Sequence, residues 1–224
     1  MTPPPLLPRP PIDAPTIPGR TVELRRFALE RDGPGLWRAI GADPALWAGI
    51  PSGPFASEAD FLAWLGARAE RTNEALYTIF AASDEDAAAA WEAAGLFFLL
   101  HNEPAMGTAE IGLVYGPCLS RRRAGTEAFF ALAQHIFETL EYRRLEWRCS
   151  MAHAQSLSAA ARFGFTAEGV LRQSRWVKGA NYDTAVLSII DREWPALARR
   201  FAAWLAPENF APDGRQIRRL GDLA

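Results

Sequence analysis

Hydrophobic and polar positions change rhythm several times along this chain, and each rhythm predicts an element. TVELRRF (21–27) alternates apolar and polar, the period of a strand with one buried face. ALYTIFAAS (75–83) and GLFFLLHN (95–102) are short apolar runs that suit strands, and TAEIGLVYG (108–116) is a strand ended by Gly-Pro. RRLEWRCS (143–150) alternates again, with Leu145, Trp147 and Cys149 on one face and Glu146, Arg148 and Ser150 on the other. EGVLRQSRWV (168–177) and DTAVLSII (183–190) supply two more strands, joined by KGANY (178–182), whose Gly and Asn suit a turn.

Elsewhere apolar residues recur every three or four positions, the helical period. Residues 28–42 place Leu36, Trp37 and Ile40 together, and Ser57 with Asp60 resembles a capping signal ahead of FLAWLGARAERT (61–72). AGTEAFFALAQHIFETLEY (124–142) has the clearest pattern, through Phe129, Leu132, Ala133, Ile136, Phe137 and Leu140. AQSLSAAARFGF (154–165) predicts a short helix stopped at Gly164, and residues 193–205 a last one through Trp194, Leu197, Phe201 and Leu205. ALWAGIPSGPF (45–55) is a shaped loop, and SDEDAAAAWEAA (83–94) an expanded hairpin connection. Strands dominate early and later alternate with helices, which predicts an α/β fold with a mixed sheet and helices on its faces.

Eight prolines fall within the first 18 residues. Proline lacks an N–H and disfavours helix in its predecessor, so residues 1–18 are expected to form an extended arm. One domain over 19–206 and a tail over 207–224 complete the expected organisation.

Composition narrows the function classes. The formal net charge is −2 and the sequence pI near 6.0, which counts against a dedicated nucleic-acid binder. Arginine supplies nearly all the positive charge, since Lys178 is the single lysine. Cys118 and Cys149 are too few for a disulfide scaffold and lack metal-ligand spacing, so a reduced, cytoplasmic setting is expected. No apolar run approaches the ~20 residues of a membrane span, and no membrane association is expected.

The stretch GPCLSRRRAGTEAFF asks why Arg121, Arg122 and Arg123 stand together before the strongest helix. A strand, a Gly-Pro break, a polar loop and a helix start present free N–H groups and the positive end of the helix dipole, which together suit an anion. Ala124 and Gly125 would leave room for phosphate oxygens. A solvated loop, a phosphate site and a nucleic-acid patch all remain open on these residues alone.

Longer segments carry a family resemblance. AEIGLVYGP, SRRRAGTEA, HAQSLSAAARFGFTAEGVLRQ and KGANYDTAVLSIIDREW, in that order and preceded by GRTVELRRF and LWAGIPSGPF, resemble the GNAT N-acetyltransferases. The similarity spans residues 19–195 and is closest to the branch related to ribosomal-protein N-terminal acetyltransferases. It implies a mixed, mostly antiparallel sheet of about six to seven strands flanked by helices. It also implies transfer of an acetyl group from acetyl-CoA directly to an amine, without a metal. The family's diphosphate loop has a pattern like Q/R-x-x-G-x-G/A, which falls here on Ser120, Arg123 and Gly125. An arginine therefore replaces the middle glycine, and the resemblance assigns Arg121, Arg122, Arg123, Ala124, Gly125 and Thr126 to the cofactor diphosphate.

The same resemblance assigns the pantetheine arm to Leu113, Val114 and Tyr115. Glu110 would act as base or water-orienter. His153 and Ser156 would lie near the thiolate, His153 where the family commonly has Asn. Glu168, Tyr115 and Tyr182 are further acid–base candidates with structural roles of their own, and Asp183 is expected to hold the turn before the last strand. Trp47 and Phe55 fall in the region that covers the acceptor entrance, whose aromatics suit an apolar mouth. The acceptor would be a protein N-terminus or a small-molecule amine, and a homodimer is left open. The competing readings are a non-catalytic CoA-binding or assembly module, favoured by the altered loop, and a nucleic-acid or ribosome-associated protein using the arginines.

Overall fold

The computed structural model describes residues 8–82 and 91–223. Residues 83–90 of the expected hairpin connection and the first seven residues of the arm lie outside the described residues.

Eight strands form one sheet, in the order β1-β2-β3-β4-β5-β6-β8-β7. They are β1 (Thr16–Pro18), β2 (Val22–Arg26), β3 (Ala75–Ala82), β4 (Trp91–Glu103), β5 (Thr108–Tyr115), β6 (Arg144–Ser150), β7 (Thr166–Val177) and β8 (Ala180–Ile190). Every neighbouring pair is antiparallel except β5 and β6, so the sheet is mixed and mostly antiparallel as the resemblance implied. The strand beyond the expected set is β1, drawn from the Pro-rich arm. It pairs Thr16 with Arg25 and Pro18 with Glu23, and it buries Ile17. Proline is tolerated here because β1 is an edge strand.

Helices cover both faces. α1 (Leu29–Leu36) and α2 (Glu58–Ala69) close one face over Leu36, Ile40, Phe61, Leu65, Leu96 and Phe98. α3 (Arg123–Gln134), α4 (Ala154–Phe163) and α5 (Trp194–Leu205) close the other, around Phe129, Phe163 and Phe201. β4 shows why its sequence is continuously apolar: Leu96 and Phe98 point into one core, Phe97 and Leu99 into the other. α2 begins at the expected serine, whose Oγ accepts the Asp60 N–H at 3.2 Å. α4 ends at Gly164, with φ 96°.

Two predicted helices end differently from their patterns. α1 stops at Leu36 and continues as a π-helical turn, Trp37–Gly41, and α3 likewise runs into His135–Thr139. Apolar periodicity persists through such a turn, so it looks like continued helix in the sequence. The segment after α5 is tied down rather than trailing: Asn209 donates to the carbonyls of Trp204 and Arg218 and accepts the Arg218 N–H, while Leu220 is buried.

Candidate functional site

The ladder between β5 and β6 is short. It runs from Thr108 opposite Arg144 to Ile111 opposite Trp147 and then stops. Beyond that point Gly112–Tyr115 stay paired with β4 alone, and Arg148–Ser150 with β8 alone. Two parallel neighbours that part in mid-sheet leave a wedge, and the inward backbone groups of one strand lose their partners. A cleft of about 1630 Å³ passes through this wedge, lined along its length by Glu110, Leu113, Tyr115, Trp147, Cys149 and Ser156.

At one end the cleft reaches the start of α3. Arg122 stands at the N-cap position in extended conformation, and its side chain does not cap the helix. The first-turn N–H groups are therefore aimed at the cleft mouth with the helix dipole behind them. Gly125 is needed there for a steric reason: a Cβ at this position would run into the Leu119 carbonyl oxygen. Tyr115 closes the same corner by donating its hydroxyl to the Gly125 carbonyl at 2.8 Å, and burial pushes that phenol far up. Its hydroxyl is committed to structure.

The three arginines part ways. Arg121, with φ 60°, and Arg122 are exposed at the mouth. Arg123 instead reaches the C-terminal segment, donating to the Leu205 carbonyl and lying 4.0 Å from the centre of the Phe210 ring. The residue that replaces the family's middle glycine thus clasps the chain's own terminus. Arg162, from α4, donates to the Thr126 hydroxyl at 3.0 Å and lies over Trp204 at 5.0 Å. These two arginines, with Arg215 from the C-terminal segment, complete a basic rim around the mouth. The loop and the start of α3 supply Arg121, Arg122 and Arg123, α4 supplies Arg162, and the C-terminal segment supplies Arg215.

In the middle of the cleft, β6 and α4 bring three polar groups together. Trp147 donates its indole N–H to the Ser156 hydroxyl at 3.0 Å, and the Ser156 hydroxyl also lies against the Cys149 thiol. Burial pushes the Cys149 thiol up. His153 takes the N-cap position of α4 and packs beneath Gly49, where a Cβ would lie 2.7 Å from the ring. Burial draws its pKa down.

The far end carries the charges. The buried Glu110 carboxylate is 2.9 Å from His101 Nδ1 and 3.4 Å from Arg148 Nε. Arg68 of α2 and Arg71 just after it line the same end and both pair with Glu74. Tyr182, raised by burial, faces them from β8. Glu168 stands apart, in a two-bond pair with Arg144 at 2.7 and 2.6 Å and a third bond from Ser188. The Arg144 guanidinium holds that carboxyl down at about 2. Asp183 accepts the Gln173 N–H across the β7–β8 hairpin.

The expected acceptor aromatics divide between wall and core. Trp47 lines the cleft only at its edge. It is fully buried, donates its indole N–H to the Ile40 carbonyl at 2.8 Å and packs edge-on to Phe55, Phe61 and Trp64. Phe55 stands behind it, its ring 4.9 Å from that of Trp47. The loop carrying them is fastened by Lys178, whose ammonium donates to the carbonyls of Trp47, Ile50 and Ser52 at 2.7, 2.8 and 3.3 Å. All three of its donors are used.

Sequence reasoning gathered Glu110, Ser156, His153 and the loop arginines but passed over His101, Arg148, Arg162 and the C-terminal segment. The signal for His101 was weak: a polar pair, His-Asn, ends an apolar strand. Only the hairpin register, Leu100 opposite Glu110, brings it beside the carboxylate. Among the described residues no group of three His, Cys, Asp or Glu side chains could hold a metal ion, and no helix is long and apolar enough to cross a membrane.

Comparison with known proteins places this architecture. Residues 21–166 match the model of the acetyltransferase (GNAT) domain. A GCN5-related N-acetyltransferase of Brucella melitensis has a crystal structure that superposes with a TM-score of 0.88, at 37% identity over 96% of each chain. The "RimL- Ribosomal L7/L12 alpha-N-protein acetyltransferase" in complex with coenzyme A superposes at 0.65 over 79% of this chain and 98% of its own, and at 23% identity that likeness speaks for the fold. The Bacillus subtilis protein named "Putative ribosomal N-acetyltransferase YdaF" is 30% identical over 96 residues, 42% of this chain, and the match spans about half of that relative's length. With its family model covering well over half its length, this chain belongs to the GNAT acetyltransferase family.

Proposed function

We propose that the chain binds acetyl-CoA in the cleft and passes the acetyl group directly to a primary amine. The observation that carries this reading is the parting of β5 from β6 with the open start of α3 at its mouth. A long, thin thioester needs such a slot: unpaired strand N–H groups for its amide-rich arm, and a helix start for its phosphates. The fit of the cofactor is supported by the glycine corner at Gly125, which keeps the helix start open, and by the exposed Arg121 and Arg122 beside it. Diphosphate would be held by the N–H groups of Arg123, Ala124 and Gly125 and by those two guanidinium groups. Arg123 would serve indirectly, by fixing the segment that bears Arg215.

In the wedge, the backbone of Gly112–Tyr115 would bind the arm and offer an N–H to the thioester carbonyl oxygen, where negative charge develops. Ser156, held by Trp147 beside the half-way point of the cleft, and His153 next to it would border the sulfur. The charged end with Glu110 would receive the amine. A protein N-terminus is the acceptor favoured, since the Bacillus relative is named a putative ribosomal N-acetyltransferase.

Titration calorimetry with acetyl-CoA tests the reading. Saturable binding is expected, and the double variant Arg121→Glu/Arg122→Glu weakens it at least about tenfold through loss of charge-assisted phosphate contacts. Thiol release on adding an amine or an N-terminal peptide should follow. Absence of binding to the unaltered protein would overturn the proposal.

A further inference from the structure

Resting on the acetyl-transfer reading, we infer that His101 is the catalytic base that takes the proton from the acceptor amine, and that Glu110 positions it. Three observations converge. First, Glu110 is a poorly placed base. Its side chain is 10% exposed, and one carboxylate oxygen is shared between the His101 ring nitrogen and the Arg148 guanidinium. Both contacts fall on Oε2, so an incoming ammonium would meet a mostly buried carboxylate already faced by a ring nitrogen and a guanidinium.

Second, His101 has what Glu110 lacks. Its side chain is 60% exposed and lines the cleft. With Nδ1 turned to the carboxylate, Nδ1 carries the proton and donates it to Glu110, which leaves the Nε2 lone pair for the cleft. That is the tautomer a proton-accepting histidine needs.

Third, the backbone is bent to put it there. His101 has φ 48°, the left-handed region that side chains with a Cβ seldom adopt. It sits where the β4–β5 ladder skips from Leu100–Glu110 to Glu103–Thr108, a bulge that swings the side chain out of the strand. Backbone conformations of this kind cluster at functional sites, and this one lies where the ring lines the cleft.

The chemistry balances. The acceptor ammonium gives one proton to His101 Nε2 and becomes a neutral amine. Its nitrogen forms a bond to the acetyl carbon as the carbon–sulfur bond breaks. The second proton leaves the nitrogen for the departing sulfur, and His101 returns its own proton to solvent. The products are an amide, a thiol and one released proton. Glu110 on β5 and Arg148 on β6 stand beside His101, and Arg68, Arg71 and Glu74 on or just after α2 and Tyr182 on β8 line the same cleft.

The test uses His101→Gln and Glu110→Gln in the full chain. With a turning-over amine, His101→Gln is expected to lower kcat/KM by about 10²–10⁴ and to abolish the rise of rate through neutral pH, with acetyl-CoA affinity by calorimetry unchanged. Glu110→Gln is expected to lower kcat/KM less than His101→Gln does, because the ring stays in the cleft and only the group that orients it is altered. A structural role of His101 would leave the rise in place. Nitrogen NMR of the three histidines follows the ring without any acceptor: the signal missing in His101→Gln should show Nδ1 protonated and Nε2 free in the neutral ring of the unaltered protein. The opposite tautomer overturns the pair even if no acceptor is found. An intact pH limb in His101→Gln, with the larger loss in Glu110→Gln, overturns the role of His101 and returns the base to Glu110. Failure of acetyl-CoA binding in the unaltered protein overturns the acetyl-transfer reading, a separate result from either.

Discussion

At the scale of single residues, three carboxylates of similar appearance in the sequence have different fates. Glu110 is buried against a histidine and an arginine, Glu127 accepts the N–H and hydroxyl of Thr21, and Glu168 is locked to Arg144. The last makes a pH prediction. Its folded carboxyl sits near 2 and its unfolded one near 4.5, so the pair's contribution is fully present above the unfolded value and is lost as pH falls toward 2. Glu168 is more than a third exposed, so solvent screening limits the contribution to less than about 1 kcal/mol at neutral pH. Glu168→Gln should therefore melt about 1–3 °C below the parent at pH 7. Melts repeated downward from pH 4.5 should show the gap closing as pH falls through about 2. Residue identities made these groups visible as candidates. Which partner each finds depends on register, and no residue carries that information by itself.

At the scale of elements, the helix beginning at Arg123 was legible because its apolar stripe repeats at the helical period, and its stripe does pack against α5. The direction taken by the Arg123 side chain was not legible. It depends on Leu205 and Phe210, more than 80 positions on, being folded back against the helix start. Arg123→Ala removes one hydrogen bond and one cation–π contact, each worth about 0.5–1.5 kcal/mol. The expected result is local: faster hydrogen exchange at the Ile217 and Arg218 amides, which bond to Asn209, with the β3–β4 amides unchanged. Uniform acceleration across the sheet would contradict the clasp.

At the scale of the whole molecule, the proposed acceptor end of the cleft is assembled from pieces far apart in the chain. The turn after β7 reaches the loop before α2 through Lys178, whose ammonium is caged by three carbonyls and whose pKa is drawn down by burial. Lys178→Met keeps the stem and removes the donors. The loop from Trp47 to Ser52 should then loosen, raising KM for the amine several-fold while the acetyl-CoA isotherm stays unchanged. An unchanged KM would mean that the latch does not shape the acceptor entrance. What the sequence determined on its own is α1 to α5 and every strand but β1, since period two and period three-to-four patterns are local properties of the chain, and with them the α/β class and the anion-suited start of α3. What only the tertiary structure decided is the wedge between β5 and β6, the meeting of His101 with Glu110, and the recruitment of Arg123 and Lys178 as fasteners. Those rest on strand register and on contacts between distant segments, which are set by how both faces of the sheet are buried at once.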